Sequence, residues 1–254
     1  MSYFIYKEKA CYYEEYGNGT PLLLLHGNTA SSKMFQDAIE PLATDFKVVL
    51  LDFLGHGKSE RVDELAADLW FDEALQVIAL LEQKHYKNVN LIGSSGGAIV
   101  AINVALERPD LVHKVIADSF EGKAPLKELV ENIAEERRLS KQDGNGKAFY
   151  RAMHGEDWEG VVDNDTAAIL RHAKNIGSFY HKPLSKLHIP ILFTGCKEDE
   201  YAKLIDPNFY EKTFASLIKE IGSGELHIFE GGRHPAMLGC KEEFIMKAKD
   251  FLLN

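Results

Sequence analysis

The stretch "LIGSSGGAIV" at residues 91–100 joins two short apolar runs through two serines and three glycines. A serine hydroxyl attacks an acyl carbonyl once a neighbouring base takes its proton. It needs a sharp turn between a strand and a helix, so that its oxygen stands clear of the backbone. Such a turn imposes an awkward backbone angle on its central residue and demands small neighbours. Ser95 has glycine two residues before it (Gly93) and two after it (Gly97), whereas Ser94 has Ile92 and Gly96 there. The spacing therefore selects Ser95 as candidate nucleophile. The competing reading is a purely structural glycine turn, and the other polar residues have to decide between the two.

The chain has ten histidines from which a base could come. In open parallel sheets, sites form outside the carboxyl ends of the strands. His234, in "ELHIFEGGRHPAM", lies on a loop just after the last expected strand. His227 lies within that strand, and His26 and His56 read as loop-shaping residues. His85, His113, His154, His172, His181 and His188 fall in surface or strand-flank contexts. A base of this kind is oriented by a carboxylate. Asp199, in "TGCKEDEY", follows the run "IPILFTG", with Glu198 and Glu200 beside it; Asp118 ends the run "KVIAD". Asp199 is the first choice and the others stay open. The oxyanion formed on attack needs preorganised N–H donors. One is expected from Gly96, directly after the nucleophile, and the second from Asn28 in the loop "HGNTAS".

These residues need a frame that brings strand ends together. "PLLLLHG", "KVVLLDF", "NVNLIGS", "LVHKVIADS", "IPILFTG" and "ELHIFEGG" are short apolar runs of the kind found in buried parallel strands. "YFIYKEKACYYEEYG" reads as two further strands joined by a charged turn. Between the runs lie segments with helical spacing, such as "FDEALQVIALLEQKH" and "FYEKTFASLIKEIGSG". The alternation predicts an α/β fold: a mostly parallel central sheet with helices on both faces. One interval breaks the rhythm. Residues 121–187 hold two helical segments, "APLKELVENIAEERRLS" and "DTAAILRHAKNIGSFY", with the polar piece "KQDGNGK" between them. The expected organisation is a core of residues 1–120 and 188–254, with residues 121–187 as a helical cap.

Nucleophile, acid and base thus run in the order Ser, Asp, His, each after a strand, with "HG" after an early strand. In this the sequence resembles the α/β-hydrolase family over nearly its whole length. "DFLGHGKS" is similar to that family's D-x-x-G-x-G-x-S loop, onto which Asp52, Gly55, Gly57 and Ser59 fall. The resemblance implies a small serine hydrolase with a helical cap. A serine at the nucleophile position argues against the epoxide hydrolase and haloalkane dehalogenase branches, which use aspartate. One departure is that the acid lies four residues past Gly195, where three is more common, and this keeps Glu198 in view.

Composition narrows the partners. The 254 residues include 39 acidic and 29 basic ones, a net charge of −10, spread along the chain. That sign disfavours nucleic acid and anionic membrane surfaces. The three cysteines are widely spaced with no CxxC pair, which disfavours a disulfide framework or a zinc site. With no signal-peptide pattern at the start and no long apolar run, the expected location is the cytoplasm. The expected function is carboxylesterase-like hydrolysis of small-molecule esters or related acyl compounds, with neither metal nor organic cofactor. A carbon–carbon bond hydrolase of the dienone-acid type, a cofactor-free haloperoxidase side activity, and a non-catalytic receptor on the same fold are the alternatives. A basic residue facing the pocket would favour a substrate with a carboxylate, and Arg151 and Arg171 are the candidates. Phe120, Tyr150, Trp158, Phe179 and Tyr180 are the aromatics expected to line the pocket.

Overall fold

The computed structural model describes residues 2–254. The chain opens with an antiparallel hairpin, β1 (Ser2–Tyr6) and β2 (Lys9–Tyr16). The alternating core follows: β3 (Pro21–Leu25), α1 (Gln36–Ala43), β4 (Lys47–Leu51), α2 (Leu69–Gln83), β5 (Val89–Ser94), α3 (Gly96–Glu107) and β6 (Val112–Asp118). Three helices interrupt it: α4 (Lys127–Ser140), α5 (Gly144–His154) and α6 (Trp158–Asn175). The core resumes with β7 (Ile191–Cys196), α7 (Glu200–Ile205), α8 (Phe209–Ile221), β8 (Glu225–Phe229), α9 (Ala236–Gly239) and α10 (Lys241–Leu253). The strands form one sheet in the order β1-β2-β4-β3-β5-β6-β7-β8. β2 pairs antiparallel with β4, and every pairing from β4 to β8 is parallel.

The four leucines of β3 explain why both faces are covered. Successive side chains on a strand point to opposite faces. Leu23 and Leu25 join Val49, Leu51 and Leu91 against α2, α3 and α8, while Leu22 and Leu24 join Val48, Leu50 and Ile92 against α1 and α10. All four leucines are fully buried. At about 1.5–3 kcal/mol per buried aliphatic side chain, these runs drive the sheet into the middle of the molecule.

The insertion between β6 and β7 departs from the expectation in two places. The polar "KQDGNGK" is no mere separator. Asp143 accepts hydrogen bonds from the N–H groups of Asn145 and Gly146, both at 2.9 Å, and this cap starts α5 within the glycine-containing piece. The segment expected to be helical through Tyr180 stops at Asn175, because Gly177 takes a left-handed φ of 75° and its N–H turns back to His172 O. Among the described residues no helix is long and apolar enough to cross a membrane.

Candidate active site

Ser95 stands between β5 and α3 with φ 56° and ψ −124°. A non-glycine residue held in such a region costs on the order of 1–3 kcal/mol, and it persists where its surroundings over-determine it. Here they do. The Ser95 N–H donates to Asp118 O at 2.8 Å. A Cβ on Gly96 would collide with Asn28 Oδ1 and come within 2.8 Å of Trp70 Nε1, so only glycine fits beside Asn28. The two serines are separated by this bend. Ser95 lines a cavity, while Ser94 is fully buried and donates to Asp118 Oδ2 at 3.1 Å.

His234, on the loop between β8 and α9, lines the same cavity. Its Nδ1 faces Asp199 Oδ2 at 2.8 Å. Asp199, fully buried at the entrance to α7, uses both oxygens. Oδ1 accepts from the N–H groups of Tyr201 and Ala202, capping that helix, and Oδ2 also accepts from the Tyr210 hydroxyl at 2.7 Å. Burial works against charge on both partners. The hydrogen bond and charge of Asp199 outweigh it at His234, whose pKa is held above the ordinary histidine value. At Asp199 burial is likewise outweighed by His234, Tyr210 and the helix cap, and its pKa is held below the ordinary carboxylate value.

The other acids are occupied elsewhere. Asp118 accepts from Ser94, Ser119, Thr194 and the Met237 N–H, and burial pushes its pKa up to about 6. Glu198 is exposed and pairs with Lys203. Glu200 Oε2 accepts from the His234 backbone N–H at 3.2 Å and meets no ring nitrogen.

Gly96 and Asn28 both border the cavity beside Ser95. Gly96 opens α3, so its N–H has no acceptor within that helix. The Asn28 side chain is held at both ends: Oδ1 accepts from Trp70 Nε1 at 3.2 Å, and Nδ2 donates to Asp165 Oδ2 at 3.1 Å. Asp165 belongs to α6, inside the insertion. Its Oδ2 also accepts from the Thr29 N–H and faces His56 Nε2 at 3.0 Å. His154, at the end of α5, completes the junction, with Nδ1 accepting from the Gly57 N–H and Nε2 donating to Thr29 O. His26 acts within the core, with Nε2 accepting from the Phe53 N–H and Nδ1 donating to Gly27 O. Burial lowers the pKa of both His26 and His154 to about 3, so both are neutral struts. The loop at 52–59 is likewise structural. Asp52 accepts from the N–H groups of Ser32 and Lys58, and Ser59 donates to Asp52 O.

The cavity over Ser95 has a volume of about 280 Å³. Its floor is Ser95, Gly96 and Asn28, and α4 contributes Leu129, Val130, Ile133, Glu136 and Arg137 to the wall.

Residues 20–172 match the family described as alpha/beta hydrolase fold. The chain belongs to the alpha/beta-hydrolase family. It is similar to the human "Serine hydrolase BPHL", at 25% identity over 95% of this chain and 82% of that one. A second relative, "Proline iminopeptidase" from Heyndrickxia coagulans, is 36% identical over only 45% of this chain and 40% of its own length. In three dimensions the fold is similar to the enol-lactonase from Burkholderia xenovorans LB400, with TM-score 0.78, 17% identity and full coverage of both chains. The protein is thus an enzyme of the hydrolase type.

In this alpha/beta hydrolase, Phe120 alone of the five expected aromatics borders the cavity. Tyr150 and Trp158 stack on each other within the insertion, with ring centroids 5.7 Å apart. Phe179 packs edge-on against Trp70, and the Tyr180 hydroxyl donates to Gly122 O. All four are buried where core packing holds them away from the cavity wall. Arg151 is exposed and pairs with Glu156, and Arg171 donates to Leu65 O; neither reaches the cavity. Sequence patterns do not single out Arg137, Asp165, His154, Trp70 or Tyr210 for the roles they have here. None sits in a motif, and Asp165, His154 and Trp70 act through partners distant in the chain. Among the described residues no cluster of three or more His, Cys, Asp or Glu is placed to hold a metal ion.

Proposed function

We propose that the enzyme is a serine hydrolase of small-molecule esters or related acyl compounds, acting through Ser95, His234 and Asp199. The observation that carries this reading is the 2.8 Å contact between His234 Nδ1 and Asp199 Oδ2, on the cavity into which the strained Ser95 turn opens. With Nδ1–H donated to Asp199, the other ring nitrogen is left free of its proton, which is the tautomer a general base needs. His234 takes the Ser95 proton as Oγ attacks the acyl carbonyl. The N–H groups of Gly96 and Asn28 stabilise the oxyanion. The imidazolium then gives its proton to the leaving group, and the acyl-enzyme forms. Water, activated by the same base, releases the acid product and restores Ser95. The helices α4–α6 act as a cap that limits which acyl chains reach the serine.

A fluorophosphonate probe tests this reading. A single adduct mapped to Ser95, absent in Ser95→Ala, together with hydrolysis of a simple ester, supports it. Labelling at another residue, or no labelling of folded protein, overturns Ser95 as the nucleophile.

A further inference from the structure

Arg137 is the lysine- or arginine-type cation in the cavity wall, among the described residues. It lies on α4 and borders the same cavity as Ser95. Its guanidinium makes no ion pair with any described carboxylate; NH1 donates to the Tyr150 hydroxyl at 3.1 Å, and Nε is closed off from solvent with no acceptor. A buried donor without an acceptor is costly, more so on a charged group. Surface arginines of the same insertion are treated differently, since Arg138 pairs with Glu135 and Arg151 with Glu156. Tyr150 is itself locked by its stack on Trp158, so the guanidinium is positioned rather than free to swing out.

The wall also holds carboxylates, and each of them is engaged. Glu136 accepts from the Tyr201 hydroxyl, Glu200 from the His234 N–H and Glu121 from the Leu126 N–H. Burial pushes the Glu121 pKa up to about 7, which weakens its charge at neutral pH. Those bonds engage the wall carboxylates without pairing any of them with Arg137, whose guanidinium is met by the Tyr150 hydroxyl and the charge of buried Asp165; what it lacks is a directly bonded anion. A guanidinium fork matches a carboxylate with two parallel hydrogen bonds.

We propose that Arg137 is a specificity-determining residue that binds a carboxylate on the substrate, so that the preferred substrates are half-esters of dicarboxylic acids or other acyl compounds carrying an acid group away from the scissile bond. The proposal rests on the serine-hydrolase reading for its chemistry. Hydrolysis of such a half-ester by water yields the diacid and the alcohol, with Arg137 holding the remote carboxylate unchanged throughout.

The test compares three ethyl esters of similar length by pH-stat: monoethyl glutarate, ethyl pentanoate and ethyl 4-(trimethylammonio)butanoate. The native enzyme favours the anionic ester in kcat/KM. In Arg137→Gln the anionic-to-neutral ratio of kcat/KM falls by about 10- to 100-fold, as expected for a lost charge-assisted pair, mainly through KM; Arg137→Lys restores part of it. An unchanged ratio in folded Arg137→Gln, or a native preference for the neutral or the cationic ester, overturns the proposal. Should Arg137→Gln not fold, inhibitors of the native enzyme replace it. Competitive inhibition by glutarate but not by dimethyl glutarate supports the proposal, and inhibition by both alike or by neither overturns it. Glutarate binding to Ser95→Ala by calorimetry separates the two readings. Binding without hydrolysis of any ester by the native enzyme leaves the anion site standing and removes the serine-hydrolase reading. Hydrolysis without glutarate binding does the reverse.

Discussion

Asp165 of the insertion holds the side chain of Asn28 of the core, with Nδ2 donating to Oδ2 at 3.1 Å across 137 positions of sequence. The same oxygen accepts from Thr29 N–H and faces His56, and the carboxylate is fully buried. The loop proposed to stabilise the oxyanion is therefore anchored from above.

Removing that anchor affects both folding and rate. Asp165→Ala leaves the Asn28 amide, the Thr29 N–H and His56 without their acceptor in a dry site. The expected loss of stability is about 3–5 kcal/mol, the usual cost of taking one partner from a buried pair. Urea denaturation measures it. In the fraction that stays folded, kcat is expected to fall more than KM rises if the loop serves the transition state as proposed. An equal stability with normal kcat would show that Asn28 holds its position without help.

The two adjacent serines separate chemistry from structure. Ser95→Ala lowers kcat on a simple ester by about 10⁴-fold or more, while the fold is retained. Ser94→Ala removes one hydrogen bond to the buried Asp118 and is expected to cost on the order of 1 kcal/mol in stability, with turnover largely kept. Steady-state kinetics and thermal melts on both variants distinguish them.

The acids separate in the same way. Asp199→Asn keeps the shape but disturbs the imidazole tautomer, and kcat falls by about 10⁴-fold, as in comparable triads. It also weakens the cap of α7, so circular dichroism accompanies the assay. Asp118→Asn loses stability instead, since Asp118 ties Ser94, Ser119, Thr194 and Met237 together. Collapse of turnover in folded Asp118→Asn, with near-normal Asp199→Asn, would reassign the acid.

The pH profile follows from the sign of the His234 shift. The base acts only when neutral, and Asp199 raises its pKa above the ordinary value of ~6.5. The acid limb of kcat/KM is therefore expected above pH ~6.5, with activity falling as pH drops through it. In Asp199→Asn the residual activity has its limb at lower pH, because burial then acts on the ring against only the smaller pull of Asp118 and Glu200. Glu121 titrates near 7 in the same cavity, so Glu121→Gln is the control and should leave the limb in place. A limb that moves with Glu121 and ignores Asp199 would contradict the assignment.

What the sequence made legible was local. The candidate Ser95 is marked by its flanking glycines, and the candidates His234 and Asp199 by their places just past apolar strand runs; alternation of strand and helix was enough for the sheet. Asp165, His154 and Arg137 carry no such sign. Each is a single polar residue on an ordinary amphipathic helix, and its significance comes from where α4, α5 and α6 settle on the core. Four of the five aromatics lie away from the cavity for the same reason. Trp158, Phe179 and Tyr180 have the composition of a pocket lining, yet burying large apolar area inside the helical layer is what fixes their positions. Arg151 and Arg137 lie on neighbouring helices, and no pattern distinguishes the arginine that faces Glu156 from the one turned inward.

The junction between insertion and core also bears on how such enzymes could diversify. Besides Asp165 and His154, Lys33 reaches Ala152 O, Ser31 reaches Met153 O, and Arg61 reaches His154 O and Asp157. The helices are sewn to the loops at 26–33 and 52–61 rather than resting on them. A chimera that borrowed residues 121–187 from a relative would acquire new pocket walls together with loops whose anchors had gone. The exchangeable unit is therefore three segments far apart in the chain, and substrate range in this lineage is expected to drift by single replacements on the inner face of α4 more readily than by wholesale transplantation.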